Sequence, residues 1–206
     1  MHKLEGKIAI VTGGSGNLGS AIVAAFHQAG ATVVVPDRRA GGVVDMFPEL
    51  DRDQHNFPGN YNAMDAEANH KLAQDTLSRF GRIDIVVNTI GGYRAGKPLH
   101  ETEPDTWDFM MNLNAKTAFL LSQAVLPAML KQGDGVIIHT AAHPALHGTR
   151  NESAYAASKA AVARIVESMS EEYKAQGITV NAILPGVLDT PRNRETMPDA
   201  DFNEWV

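Results

Sequence analysis

Short apolar runs rich in β-branched residues alternate along this chain with longer stretches in which apolar residues recur every three or four positions. The runs are Ile8 to Val11, Thr32 to Val35, Ile83 to Val87, Val136 to Ile138 and Ile178 to Leu184. Several are apolar at every position, as a strand is when helices cover both faces of its sheet. Strands alternating with helices predict βα units that feed one parallel sheet, so the expected fold class is α/β with a doubly wound parallel sheet.

The helical stretches carry their own stop signals. Asp65 to Phe80 sets Leu72, Leu77 and Phe80 near one face and ends at Gly81, a natural C-cap. Ser153 to Gln176 is Ala-rich, with Val162, Ile165, Val166, Met169 and Tyr173 in a helical stripe and Gly177 as its stop. Asp105 to Lys131 reads as a third helix in which Pro127 predicts a kink or a restart. Arg38 to Gly59 and Gly91 to Pro104, rich in Gly and Pro, take no assignment. With no internal repeat or linker, residues 1–206 are expected to form a single domain.

Composition narrows the partners. Hydrophobic residues make up 44% and charged residues 20%, a globular balance that excludes disorder. The 18 basic and 24 acidic residues give a net charge of −6, and the basic ones are scattered, so neither nucleic acid nor an anionic membrane is an expected partner. A cysteine count of 0 excludes disulfides, thiol nucleophiles and Cys-ligated zinc. Only four consecutive apolar residues precede Thr12, too few for a signal-peptide core, and no apolar span of about 18 residues occurs. The expected location is the cytoplasm.

The run Ile8 to Val11 leads into Thr12-Gly13-Gly14-Ser15-Gly16-Asn17-Leu18-Gly19, and Ala21, Ile22, Ala25, Phe26 and Ala29 follow at helical spacing. A strand, glycine turn and helix in that order aim backbone N–H groups and the positive end of a helix at one point, where a pyrophosphate can sit. Gly14, Gly16 and Gly19 spell G-x-G-x-x-G, and Asp37 lies 18 residues beyond Gly19, after the second run, where its carboxylate can accept from ribose hydroxyls. Its charge would repel a 2′-phosphate, which favours NAD(H) over NADP(H), although Arg38 and Arg39 follow directly and offer phosphate contacts.

Tyr155 and Lys159 stand four residues apart at the start of a helix and project from one face. A phenol is a useful acid or base near neutrality when its anion is stabilised, and an ammonium can do this.

These features resemble the short-chain dehydrogenase/reductase family over nearly the whole chain. The residues that carry the resemblance are Thr12 to Gly19, Asp37, Asp65, Asn88-Thr89-Ile90-Gly91, Asn114, Tyr155-Ala-Ala-Ser-Lys159 and Pro185-Gly186. The resemblance implies a Rossmann-like, three-layer α/β/α fold and an NAD(P)(H)-dependent oxidoreductase acting on a small carbonyl or quinonoid molecule. It implies that Tyr155 donates or accepts the proton, that Lys159 lowers its pKa and binds the nicotinamide ribose, and that Asn114 steadies a relay water. The cofactor would lie against Gly13, Ser15, Gly16, Asn17, Leu18, Gly19, Asp37, Arg38, Asp65, Asn88, Gly91, Pro185 and Gly186, together with Tyr155 and Lys159. Asp65 would meet the adenine edge, and Asn88 would brace the sheet. The family's usual assembly implies a homodimer or homotetramer, the dimer through the helices that contain Asn114 and Tyr155.

Three departures qualify the carry-over. Asn17 stands where the family turn has glycine, and asparagine is expected to tolerate the left-handed backbone there. The family serine, thirteen residues before the tyrosine, falls on Ala142; Thr140, His143, Thr149 and Ser153 are candidate substitutes at other positions. The chain also stops after the Pro-Gly loop, so the expected sheet lacks a seventh strand and ends at six unless the sequence is a fragment. Its tail, Leu188-Asp-Thr-Pro-Arg-Asn-Arg194 and Met197-Pro-Asp-Ala-Asp-Phe202, resembles dihydropteridine reductases, a branch that also lacks the serine, as does Ile90-Gly-Gly-Tyr93.

His139, His143 and His147 recur every four residues, but a strand and Pro144 break the helical spacing that would align them, so no metal site is assigned. A competing function is a dinucleotide-binding sensor or scaffold weakened in catalysis by Ala142.

Overall fold

The computed structural model describes residues 3–39 and 41–206. Strands β1 (Ile8–Thr12), β2 (Thr32–Val34), β3 (Ile85–Asn88), β4 (Gly135–Thr140) and β5 (Ile178–Ile183) pair in parallel, in the spatial order β2-β1-β3-β4-β5. The order reverses beside β1, which is paired with both β2 and β3. The connections after β1 and β3 therefore leave in opposite directions, and a crevice opens at the carboxyl ends of these strands.

Helices α2 (Ala66–Phe80), α4 (Thr117–Gln132) and α5 (Ser153–Tyr173) bury one face of the sheet around Ile10, Val86, Leu121, Val125, Ile137 and Val162. Helix α1 (Asn17–Gln28) packs on β1 and β2 across the other face, where Val23 joins Val11, Val33, Val35, Phe47 and Leu50. The second layer thus lies over β1 and β2. Strand β5 alternates buried Ile178 and Val180 with exposed Thr179, Asn181 and Ile183.

Three expectations need correction. Of the six strands expected, five form, and the third in chain order, between β2 and Asp65, is reduced to a bridge: Asn56 pairs with Val34 and exchanges backbone hydrogen bonds with Val33 and Val35, but Pro58 lacks the N–H to continue the ladder and Asn60 turns away at φ 58. The long third helix is interrupted upstream of Pro127. Helix α3 (Pro104–Met110) passes through a π-helical turn, Met111–Lys116, into α4, which absorbs Pro127 because Val125, Leu126 and Met129 beside it are buried. Asn17 needs no left-handed backbone, for it is the first residue of α1 and the positive φ of the turn, 76°, belongs to Gly13.

After β5 the chain closes on itself. Asp189 N–H donates to the Val206 carbonyl at 2.9 Å and Val206 N–H to the Val187 carbonyl at 3.0 Å, while helix α6 (Pro191–Thr196), capped by Thr190, fills the loop between. Among the described residues no helix is long and apolar enough to cross a membrane.

Candidate active site

The glycine turn is built from close approaches that a side chain would block. A Cβ on Gly19 would stand 2.1 Å from the Gly13 carbonyl oxygen, and one on Gly13 would stand 2.6 Å from Thr89 Oγ1. Thr89 Oγ1 in turn donates to the Thr12 carbonyl at 2.8 Å, tying the turn to the end of β3. Beyond it Ser15, Gly16 and Asn17 are exposed, with Leu18 half-buried and Gly19 buried. Helix α1 opens there with no acidic residue in its first turn, so its N-terminal N–H groups and positive dipole end face the crevice unneutralised. The residues fit a pyrophosphate.

Asp37 lies just past β2, half-buried, beside exposed Arg38 and Arg39. Its Oδ1 accepts from Arg39 N–H at 2.8 Å, and its backbone is held by Pro58 and Tyr61, so the carboxylate stands in a fixed place, with no partner for Oδ2 among the described residues. Asn88 Oδ1, at the end of β3, accepts from Thr12 Oγ1 at 2.7 Å and from Ile90 N–H at 3.1 Å, which locks β1 to β3 where the crevice begins. Asp65 caps α2 through Glu67 N–H at 2.9 Å, a structural duty the sequence reading did not assign.

Lys159 is 5% exposed, and burial pushes its ammonium down to about 8. Its Nζ donates to the Thr140 carbonyl at 2.8 Å. A Cβ on Gly91 would stand 3.0 Å from that Nζ and 2.9 Å from Asn114 Oδ1, so Lys159, Gly91 and Asn114 share one small space. Asn114 sits within the π turn. Its Oδ1 accepts from Gly92 N–H at 2.9 Å, and its Nδ2 donates to the Gly92 carbonyl and, at 2.9 Å, to Ser158 Oγ. Ser158 O–H in turn donates to the Tyr155 carbonyl at 2.7 Å, which anchors the first turn of α5 to the π turn.

Tyr155 is half-buried. Burial raises its phenol above the usual value, and the Glu152 charge adds to the rise. This is opposite to the lowering expected from Lys159, because desolvation dominates while the ammonium is held by Thr140. The Tyr93 ring meets the Tyr155 ring edge to face, with centroids 4.8 Å apart, and Tyr93 O–H donates to Glu152 Oε1 at 2.8 Å. Thr149 O–H binds the other oxygen of Glu152.

Ala142 is buried, with extended backbone, and the His143–Ala145 turn follows it. His143 N–H donates to the Pro185 carbonyl at 3.1 Å, which joins the β4 loop to Pro185-Gly186 beyond β5. Thr140 Oγ1 is buried, with no hydrogen bond among the described residues. Of the three histidines, His139 is fully buried with Nε2 2.8 Å from Ser122 Oγ, whereas His143 and His147 meet edge to face with ring centroids 4.7 Å apart.

Tyr155, Lys159, Asn114 and Gly91 therefore stand together at the carboxyl ends of β3 and β4, with the glycine turn and Asn88 beside them, while Asp37 and Asp65 flank the far side of β1. Sequence reasoning missed Ser158, although it sits inside the Tyr-to-Lys motif one helical turn from Tyr155. It also assigned no role to Glu152, and none to Tyr93 beyond a loop resemblance.

The short chain dehydrogenase family model matches residues 7–201. The 3-oxoacyl-(acyl-carrier-protein) reductase FabG of Thermotoga maritima is 31% identical over 202 residues, covering 96% of this chain and 80% of that protein. An uncharacterized oxidoreductase of Staphylococcus aureus is 33% identical over 215 residues, covering all of this chain and 91% of its own length. Among solved structures, a short-chain dehydrogenase from Streptomyces avermitilis superposes with TM-score 0.84 at 30% identity, covering 90% of this chain and 68% of that one. Gox2181 superposes with TM-score 0.87 at 29% identity, covering 95% and 77%.

Proposed function

The chain belongs to the short chain dehydrogenase family, and from that premise we propose that it is an oxidoreductase using NAD(H) in preference to NADP(H) on a small carbonyl or quinonoid molecule. The observation that carries this reading is the enclosure of Lys159 beside Gly91 and Asn114, one helical turn from Tyr155. An ammonium is costly to bury, and among the described residues this one makes a single hydrogen bond, leaving two donors for ribose hydroxyls. The dinucleotide, when bound, supplies or takes up the hydride. Gly13, Ser15, Gly16, Asn17, Leu18 and Gly19 would hold its pyrophosphate, Asp37 its adenosine ribose with Arg38 alongside, and Gly91, Pro185 and Gly186 the nicotinamide end. Asp65 would face the adenine, and Asn88 keeps the floor of the crevice rigid.

Tyr155 then holds the proton that the reduced oxygen or nitrogen receives, and Lys159 offsets the charge left on the phenolate. Asn114 keeps the π turn against α5 so that the tyrosine is presented at one height. The exposed rings of Trp107 and Phe119 on α3 and α4 support a homodimer or homotetramer through these helices.

A second reading within the same class is a dihydropteridine reductase-like enzyme. It is favoured by Ala142, whose methyl gives no donor where the family resemblance places a serine hydroxyl, and by the resemblance of the segments Leu188 to Arg194 and Met197 to Phe202 to that branch. A quinonoid ring accepting hydride has less need of that donor than a ketone has.

The test is a panel of ketones and quinonoid dihydropterin with NADH and NADPH, run on the native protein and on Tyr155→Phe and Ala142→Ser. Tyr155→Phe should nearly abolish turnover and leave NADH binding intact. Restoring a hydroxyl at position 142 should raise ketone turnover by up to about 100-fold. A dihydropterin reaction unchanged or slowed by Ala142→Ser selects the quinonoid reading, whereas NADH binding without turnover of any compound selects the sensor or scaffold.

A further inference from the structure

Next to Tyr155 the structure holds an aromatic ring that is at once exposed and fixed. Tyr93 is 62% exposed, yet its ring leans on Tyr155 and its hydroxyl is tied to Glu152. A free surface tyrosine would have neither restraint. The two restraints hold its ring beside the phenol that gives up the proton.

Glu152 is the second part of this wall. It lies half-buried just before α5, accepts from Tyr93 through one oxygen and from Thr149 through the other, and makes no side-chain cap for the helix. Each carboxylate oxygen accepts more than one hydrogen bond, so both keep acceptor capacity. The neighbouring cations leave this carboxylate without an ion-pair partner among the described residues: Arg94 stacks over Phe109 at 4.0 Å, and Glu152 forms no salt bridge.

We propose that Tyr93 and Glu152 form the specificity wall of the active site and select a planar conjugated ring bearing an N–H donor, the ring lying on Tyr93 and the N–H meeting Glu152. The proposal rests on the oxidoreductase reading above and names the substrate class of that same site. The chemistry is direct. A ring stacks on an aromatic face with little loss of conformational freedom, and an N–H to carboxylate bond is charge-assisted, about twice as strong as a neutral one.

The arrangement also makes discrimination part of the proton transfer. Tyr155 is faced by Tyr93 from the loop after β3, with Glu152 and Lys159 within a turn on its own side of α5, and the Glu152 charge works against the phenolate. A substrate N–H that engages Glu152 draws that charge away from Tyr155 as it binds. A ring without the donor leaves it in place, so the loss should fall on kcat as well as KM.

Isatin and N-methylisatin test this, because they share a planar ring and a ketone and differ in one N–H. With the holoenzyme, kcat/KM and the calorimetric Kd should each favour isatin by about tenfold or more, the scale of one charge-assisted hydrogen bond. Glu152→Met removes both acceptors and should bring the ratio near one, and Glu152→Gln should reduce it in part while keeping the shape. Tyr93→Leu should weaken both compounds together. A native ratio near one in both measurements, or a ratio that survives Glu152→Met, overturns the proposal. The Kd decides if neither compound turns over. Tyr155→Phe separates the two levels: if it keeps full activity, the assignment of Tyr155 as the proton donor fails, and if it is inactive while the isatin ratio is flat, only the specificity wall fails.

Discussion

Lys159 Nζ lies 2.8 Å from the Thr140 carbonyl and about as close to the point where a side chain on Gly91 would begin. The lysine is thus placed by the end of β4 below it and by the bare backbone of the β3 loop beside it.

That crowding makes Gly91 a sensitive position. Gly91→Ala would set a methyl 3.0 Å from the ammonium and 2.9 Å from Asn114 Oδ1, both held by other bonds. The expected result is a fall of about 10- to 100-fold in kcat/KM with thermal stability nearly unchanged, since displacing a catalytic group by an ångström or less has that effect. Steady-state kinetics beside a melting curve would check it. Native kinetics in the variant would place Lys159 elsewhere during turnover.

Cofactor choice is predicted to turn on Asp37. Calorimetry should find NADH bound more tightly than NADPH, and Asp37→Ala should narrow the difference by relieving repulsion of the 2′-phosphate. Tighter NADPH binding by the native protein would transfer the decision to Arg38 and Arg39.

His139 gives a pH dependence of known sign. Ser122 has one hydroxyl proton and donates it to the Ala118 carbonyl at 2.9 Å, so its oxygen receives His139 Nε2–H and the buried Nδ1 stays unprotonated. Burial first, and the Lys159 charge second, push the ring down to about 4. The unfolded imidazole titrates near 6.5, so between those values the unfolded chain binds the extra proton. Stability conferred by the neutral ring is complete above about pH 6.5 and is lost as pH falls toward 4, by about 3 kcal/mol. Urea unfolding at pH 7 and 4.5 should show a steeper loss for the native chain than for His139→Gln, where the carboxylates common to both cancel. Parallel losses would contradict it.

Assembly is predicted to depend on the face that carries Phe119, which is 50% exposed on α4. Phe119→Glu should shift the protein to monomer in light scattering at micromolar concentration. A native protein that is already monomeric would refute the arrangement.

Legibility in the sequence followed the range of the interactions involved. The stop at Gly81 and the turn at Gly13 could be read because each depends on its own backbone; Gly81 indeed adopts φ 76 and ends α2. The segment after β2, left unassigned between Arg38 and Gly59, makes only a bridge because of Pro58 and Asn60, whose effect depends on their partners beside β2. In the site, Tyr155 and Lys159 were legible because one helix fixes their spacing. The Tyr93–Glu152 bond joins residues 59 positions apart, and no local pattern reports it. At Pro127 the helix does not restart, because tertiary burial overrides local propensity there.

The π turn at Met111–Lys116 works as a phase shift. Each helical residue advances the side-chain direction by about 100°, so the one residue gained there rotates everything after it relative to everything before. Helix α3 can therefore aim along the rim of the crevice while α4 keeps its apolar stripe on the sheet, with Asn114 at the joint between the two settings. Removing a single residue from that turn should give a regular, more ordinary helix and a worse protein, one whose two halves can no longer both be in register with what they touch.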